Sequence, residues 1–170
     1  MGDNKPMATR RITIERFSVL SAKPFADVLH ALEKGIGRPN MSAFREETEK
    51  AASFSEYEKI IKGAVGEADL MEFLRLDLGG VLRKDPAAKA YQIVRIIAGN
   101  PLIMKQMVEH LPDAGSYAPV TILVYEQPDG VHLSYDLMAS YLAPYGNDRA
   151  MEIANELDAK VTKLLIAAAA

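Results

Sequence analysis

"PDAGSYAPVTILVYEQPDGVHLSYD", residues 112–136, is the stretch on which the fold turns. It reads as a loop, a strand, a tight turn and a second strand. Val120, Ile122 and Val124 on one side, with Leu123 and Tyr125 on the other, make the first strand apolar on both faces. That is the composition of a strand lying inside a sheet. "QPDG" is expected to form a type I turn followed by a glycine bulge. Pro128 presets its own φ, Asp129 tolerates the bridge region, and Gly130 takes positive φ. In that register Glu126 faces His132, Val124 faces Ser134, and Tyr125 faces Leu133. The second strand is then amphipathic. Val131, Leu133 and Tyr135 are on its dry side, and His132, Ser134 and Asp136 on its wet side.

Before the hairpin, "GNPLIMKQMVEHLPD" gives a helix with an unambiguous start. Gly99 closes a strand, Asn100 is a preferred N-cap, and Pro101 sits where its missing N–H costs nothing. Ile103, Met104, Met107, Val108 and Leu111 form one apolar face, and Pro112 ends the helix. "YQIVRIIAG" ahead of it is a buried strand. "DLMEFLRLDLGGVLR" alternates like another strand, with Gly79-Gly80 at its end or at a bulge. Residues 38–68 are charged and helical, with Ser53 and Glu56 in a capping-box pattern. They read as a helical insertion. At the N-terminal side, "RRITIERFSVLSA" is a strand with a bulge near Arg16, and "PFADVLHALEKGIG" is a helix stopped by Gly35. After the hairpin, "LMASYLAPYGND" reads as a loop. "RAMEIANELDAKVTKLLIAAAA" is a long helix with a clean apolar stripe and an alanine end expected to fray.

The predicted order is β-α-(αα)-β-β-α-β-β-α, an α+β domain with one mainly antiparallel sheet and helices packed on it. A single domain over 10–166 is expected, with residues 1–9 disordered. At 170 residues the chain is long enough for an adequate core. Hydrophobic residues make up 49% of the chain and charged residues 25%. That balance is the one found in ordinary soluble proteins. The net charge of −3 provides no basic footprint, so neither nucleic acid nor an anionic membrane is an expected partner. Cysteine is absent, which excludes disulfides, thiolate nucleophiles and zinc–thiolate sites. No signal-peptide pattern or membrane-length apolar run is visible, and a cytoplasmic location is expected.

The run "VRIIAGNPLIMKQMVEHLPDAGSYAPVTILVYEQPDGVHLSYDLMASYLAPYG" resembles bacterial proteins of the domain of unknown function 302 family. The carrying features are "GNP" before an apolar helix, the proline-rich entry to "VTILVYE", the "DG" turn and the polar–apolar strand after it. "FLRLDLGGVLRK" also fits. The resemblance covers about residues 70–165 well and the first strand and helix more weakly, with the helical insertion marking a longer subgroup. It implies a TATA-binding-protein-like class of fold, often paired as a homodimer. It implies no established activity.

The chemistry must therefore come from residues. Glu126, His132, Ser134 and Asp136 form the candidate polar cluster, with His110, Tyr117 and Tyr135 as further candidate ligand contacts. An imidazole between carboxylates can bind metal, but one histidine at this spacing is weak, and no metal site is expected. Ser134, His132 and Asp136 alternate on a strand and cannot make a relay, and no nucleophile elbow is present. Haem would need His110 or His132 in an apolar slot, and no cofactor is expected. Five of the seven tyrosines lie between 117 and 145, as at an interface or pocket. The leading expectation is a non-catalytic homodimeric binding module for a small amphipathic ligand or a protein partner. The alternative is a small enzyme using His132 with Asp136 or Glu126 as general acid–base.

Overall fold

The computed structural model describes residues 9–170. The expected disorder of 1–9 therefore lies almost wholly outside the described residues. Six strands, β1 (Arg16–Ser21), β2 (Ile36–Gly37), β3 (Leu70–Asp77), β4 (Ile93–Gly99), β5 (Val120–Gln127) and β6 (Gly130–Asp136), form one sheet in the order β1-β6-β5-β4-β3-β2. All neighbours are antiparallel except the short β2–β3 pair. The helices are α1 (Phe25–Gly35), α2 (Met41–Lys50), α3 (Phe54–Ala64), α4 (Gly79–Leu82), α5 (Pro101–Val108), α6 (Met138–Leu142) and α7 (Asp148–Ala169). The α+β class and the mainly antiparallel sheet are as expected. β2, α4 and α6 are additions to the predicted order.

The sheet has one covered face. Val94, Ile96, Ala98, Val120, Ile122, Val124, Val131, Leu133 and Tyr135 point toward α1 and α7 and are buried. Helix α7 supplies Ile153, Ala154, Leu157, Val161 and Leu165 from the predicted stripe. Its alanine end does not fray: Ala168 and Ala169 are buried, and the Ala169 carbonyl accepts a 2.7 Å hydrogen bond from the Ser21 hydroxyl. Small side chains let the helix end lie close against β1. The Ser53 and Asn100 caps form as expected, and Asn40 and Asn147 likewise cap α2 and α7, each side chain accepting from first-turn N–H groups. The α2–α3 pair encloses a second small core of Phe44, Ile61 and Met71.

Two further predictions need correction. β1 begins at Arg16, not near Arg11. Its ladder starts at Arg16 opposite Asp136, and beyond Asp136 the partner chain turns toward α6, so Ile12 and Ile14 have no strand to pair with. The hairpin register also differs by one. Pairing runs to Gln127 opposite Gly130, which leaves Pro128-Asp129 alone as the connection and Gly130 entering β6 at φ 139°. Val124 therefore opposes Leu133, Tyr125 opposes His132, and Leu123 opposes Ser134. Hydrophobic matching accounts for the difference. This register puts Val124, Leu133, Ile122 and Tyr135 on one buried face, whereas the predicted one would have set Val124 beside Ser134.

Candidate functional site

Among the described residues, the opposite sheet face is largely uncovered. Directly opposed antiparallel residues point the same way. One row across it therefore contains Ser18, Ser134, Leu123, Arg95 and Leu76. Next to it lie Arg16 with Asp136 on one side and Leu20, His132, Tyr125 and Ile93 on the other. A trough of about 450 Å³ crosses this face, walled by Tyr117, Tyr141, Leu78 and Leu123 and carrying Arg16, Arg95, Thr121, Ser134 and Asp136.

Its charges are unequal. Arg16 clamps Asp136 through two bonds, Nε to Oδ1 at 2.6 Å and Nη2 to Oδ2 at 2.9 Å. The Tyr141 hydroxyl adds a longer contact to Oδ2 at 3.4 Å. The Arg16 bond holds the Asp136 carboxyl below its ordinary range, against partial burial. Arg95 has no such partner. Its Nη2 donates to the Thr121 hydroxyl at 3.1 Å, and among the described residues it pairs with no carboxylate. The aromatic wall is organised. Tyr117 stacks on Tyr141 with ring centres 4.6 Å apart, and the Tyr117 and Tyr145 hydroxyls are 2.8 Å apart. Arg10 lies over Tyr145 at 4.1 Å. The bond with Tyr145, aided by burial, pushes the Tyr117 phenol up to about 12.

The predicted residues divide. Ser134, Asp136 and Tyr117 line the trough, and Tyr135 borders it while its hydroxyl points away to α7. His132 is on the same face but outside the trough. It stacks on Tyr125 with centres 5.0 Å apart and bonds Asp129 in the turn at 2.8 Å. Glu126 opposes Val131, on the other face, and accepts from the Gln92 backbone and side chain. His110 follows α5 at the surface, 3.8 Å from Glu109, and its carbonyl accepts from Asn147. The predicted polar cluster is thus not brought together. Among the described residues, no histidine lines the trough, and the carboxylate that does, Asp136, is engaged by Arg16. Among the same residues, no group of three His, Asp or Glu side chains is placed to hold a metal ion.

Sequence reasoning passed over Arg95 and Arg16. The signal for Arg95 was present: a cation in the middle of "YQIVRIIAG", an otherwise apolar strand. An arginine there either pairs, reaches water, or waits for an anion.

The family model for the domain of unknown function DUF302 matches residues 44–168. The chain belongs to the DUF302 family. The match takes in α3 and most of α2, while β1 and α1 precede it. A solved structure described as an uncharacterized conserved protein DUF302 from Bacillus stearothermophilus is similar, with TM-score 0.62 and 11% identity. The alignment covers 89% of this chain and 96% of that one. At that identity the likeness speaks for the fold alone. No curated protein matches. Among the described residues, no helix of this DUF302 protein is long and apolar enough to cross a membrane.

Proposed function

We propose that this DUF302 protein is a non-catalytic binding module whose trough takes the anionic end of a small amphipathic ligand. The observation that carries the reading is Arg95, a guanidinium without a carboxylate partner among the described residues, set beside Leu123 and Leu78 on an open sheet face. Apolar walls with a few convergent polar groups are the usual make-up of a small-molecule site. Arg16 is already neutralised by Asp136, so one net positive charge faces the ligand, which suits a carboxylate gripped by the guanidinium fork. Acid–base catalysis by His132 with Asp136 or Glu126 finds no support in their placement. His132 engages Asp129, Asp136 engages Arg16, and Glu126 is on the other face. A cytoplasmic location belongs to the same proposal and is supported by the cysteine-free sequence.

The test is an NMR titration of the full chain with butyrate. Amide shifts should concentrate at Thr121, Leu123 and Ser134, and Arg95→Gln should weaken binding at least tenfold. Equal binding by Arg95→Gln, or shifts confined elsewhere, would remove the reading.

A homodimer is the companion proposal, favoured by one specific observation. Leu20, Leu74 and Leu78 are 50%, 51% and 41% exposed and belong to the uncovered face. A second copy lying over that face would cover them and set the trough between protomers. Sedimentation at micromolar concentration should show a dimer that Leu74→Glu dissociates, and a wild-type chain sedimenting at 18.6 kDa would refute it.

A further inference from the structure

A second cavity, of about 500 Å³, lies at the Gly99 end of the sheet among α2, α3 and α5, and it reaches Val120 and Leu157 at the margin of the main core. Phe44, Tyr57 and Met104 line the roof, and Phe73, Gly99 and Pro119 make the floor. Asn100 lines the wall as well, and its amide is engaged at both ends. Its oxygen accepts from the Leu102 N–H, and its nitrogen donates to Asp69. Apart from the Tyr57 hydroxyl, the lining side chains therefore offer an apolar surface to whatever enters.

The cavity and the trough adjoin. Along β4, Arg95, Ile97 and Gly99 alternate onto the open face, and Leu123 and Thr121 oppose the first two on β5. Pro119, just ahead of β5, lines both cavities. Gly99 matters at this junction. A Cβ on it would stand 3.3 Å from the Pro119 Cβ and 3.4 Å from the Phe73 ring. A side chain there would press on Pro119 and narrow the passage, which glycine leaves open. From Arg95 to Gly99 is four strand residues, about 13 Å.

We infer that the pocket under α2 and α3 receives the hydrocarbon tail of the ligand whose carboxylate is held at Arg95, which makes that ligand an amphiphilic monocarboxylate of medium chain length. The inference rests on the reading of the trough given above and adds the tail, its direction and the ligand class. A single guanidinium fork beside hydrocarbon walls matches one carboxylate and balances its single charge. The apolar pocket favours longer chains, and the path from Arg95 to Gly99 sets the length that fills it.

The experiment uses the full chain and a series of straight-chain carboxylates from butyrate to decanoate, with decanol as the uncharged control. Affinity should rise about fourfold per methylene, the factor expected for burying one CH₂. The methyl resonances of Met104 and Met107 should shift with decanoate and not with butyrate. Met104→Trp, which fills the pocket, should keep butyrate binding and lose the chain-length gain. Arg95→Gln should weaken every acid by a similar factor and keep the gain. Should Met104→Trp fail to fold, the methyl shifts of the wild-type chain decide. A flat chain-length series with Arg95-dependent binding intact would overturn the tail site and leave the trough standing. Decanol binding as tightly as decanoate would overturn the amphiphile. No binding by any acid would overturn both readings.

Discussion

The Tyr135 hydroxyl donates a 2.6 Å hydrogen bond to Oδ1 of Asp158, a carboxylate set among the apolar side chains of α7. The same oxygen accepts from the Met138 N–H at 2.7 Å, and Oδ2 accepts from the Ala139 N–H at 3.0 Å. Asp158 thereby closes the N-terminal turn of α6 and ties β6 to α7. Burial pushes its carboxyl above the ordinary range, opposed by the three donors.

Removing the acceptor leaves those donors buried without partners. Asp158→Ala should cost about 3 kcal/mol or more, whereas Tyr135→Phe, which leaves two donors on the carboxylate, should cost about 1–2 kcal/mol. Urea unfolding with near-ultraviolet circular dichroism reads both. A loss under about 1 kcal/mol for Asp158→Ala would show that the contact is incidental.

Neighbouring positions on β5 should behave oppositely. Val124 is buried against Leu133, and Leu123 opens onto the trough. Val124→Asp should cost about 4 kcal/mol or abolish folding, because it buries an unpaired charge. Leu123→Asp should stay within about 1 kcal/mol of wild type in the monomer. Similar losses at both positions would contradict this assignment of faces.

The Arg16–Asp136 pair makes a pH prediction. Its carboxyl is held below the ordinary aspartate value, so the folded form binds its proton less readily than the unfolded chain does. Its stabilisation is present above the unfolded value of about 4 and is lost as pH falls through the lower folded value. Partly exposed, the pair should contribute about 1 kcal/mol or less. The difference in unfolding free energy between wild type and Asp136→Asn should therefore shrink on acidification from about pH 6 to about pH 3. A difference constant across that range would mean the pair does not couple to folding.

His132→Ala should leave the fold and the melting temperature close to wild type, since its ring stacks at the surface and its hydrogen bond is to a turn residue. Butyrate binding should also persist, because the ring lies outside the trough. Loss of binding in a folded His132→Ala chain would place the ligand nearer the hairpin than the trough.

Much of this architecture is legible from local pattern. The Asn100-Pro101 helix start, the central place of β5 and the stripe on α7 each depend on residues close in sequence. What escaped depends on distant partners. The hairpin register was decided by which side chains α1 and α7 bury, and the turn alone favoured a bulge. Nothing in the local pattern of α7 marks Asp158. Its meaning came only from Tyr135 and the 138–139 backbone meeting it across the core. The candidate cluster failed for the same reason. A one-residue change of register carried Glu126 to the face opposite His132, and Asp136 found Arg16, which is 120 positions away in sequence.

That separation also orders the chain's assembly in time. β3, β4, β5 and β6 are each paired with the preceding strand, so a growing polypeptide can zip them in sequence as they are made. β1 is synthesised first, yet its ladder is available only once residue 136 exists. Closing a loop of that span carries an entropic toll of about 4 kcal/mol. The Ser21 bond to Ala169, at the last turn of α7, can form only after residue 169 has been made. β1, made before the other five strands of the sheet, is thus the last of them able to dock.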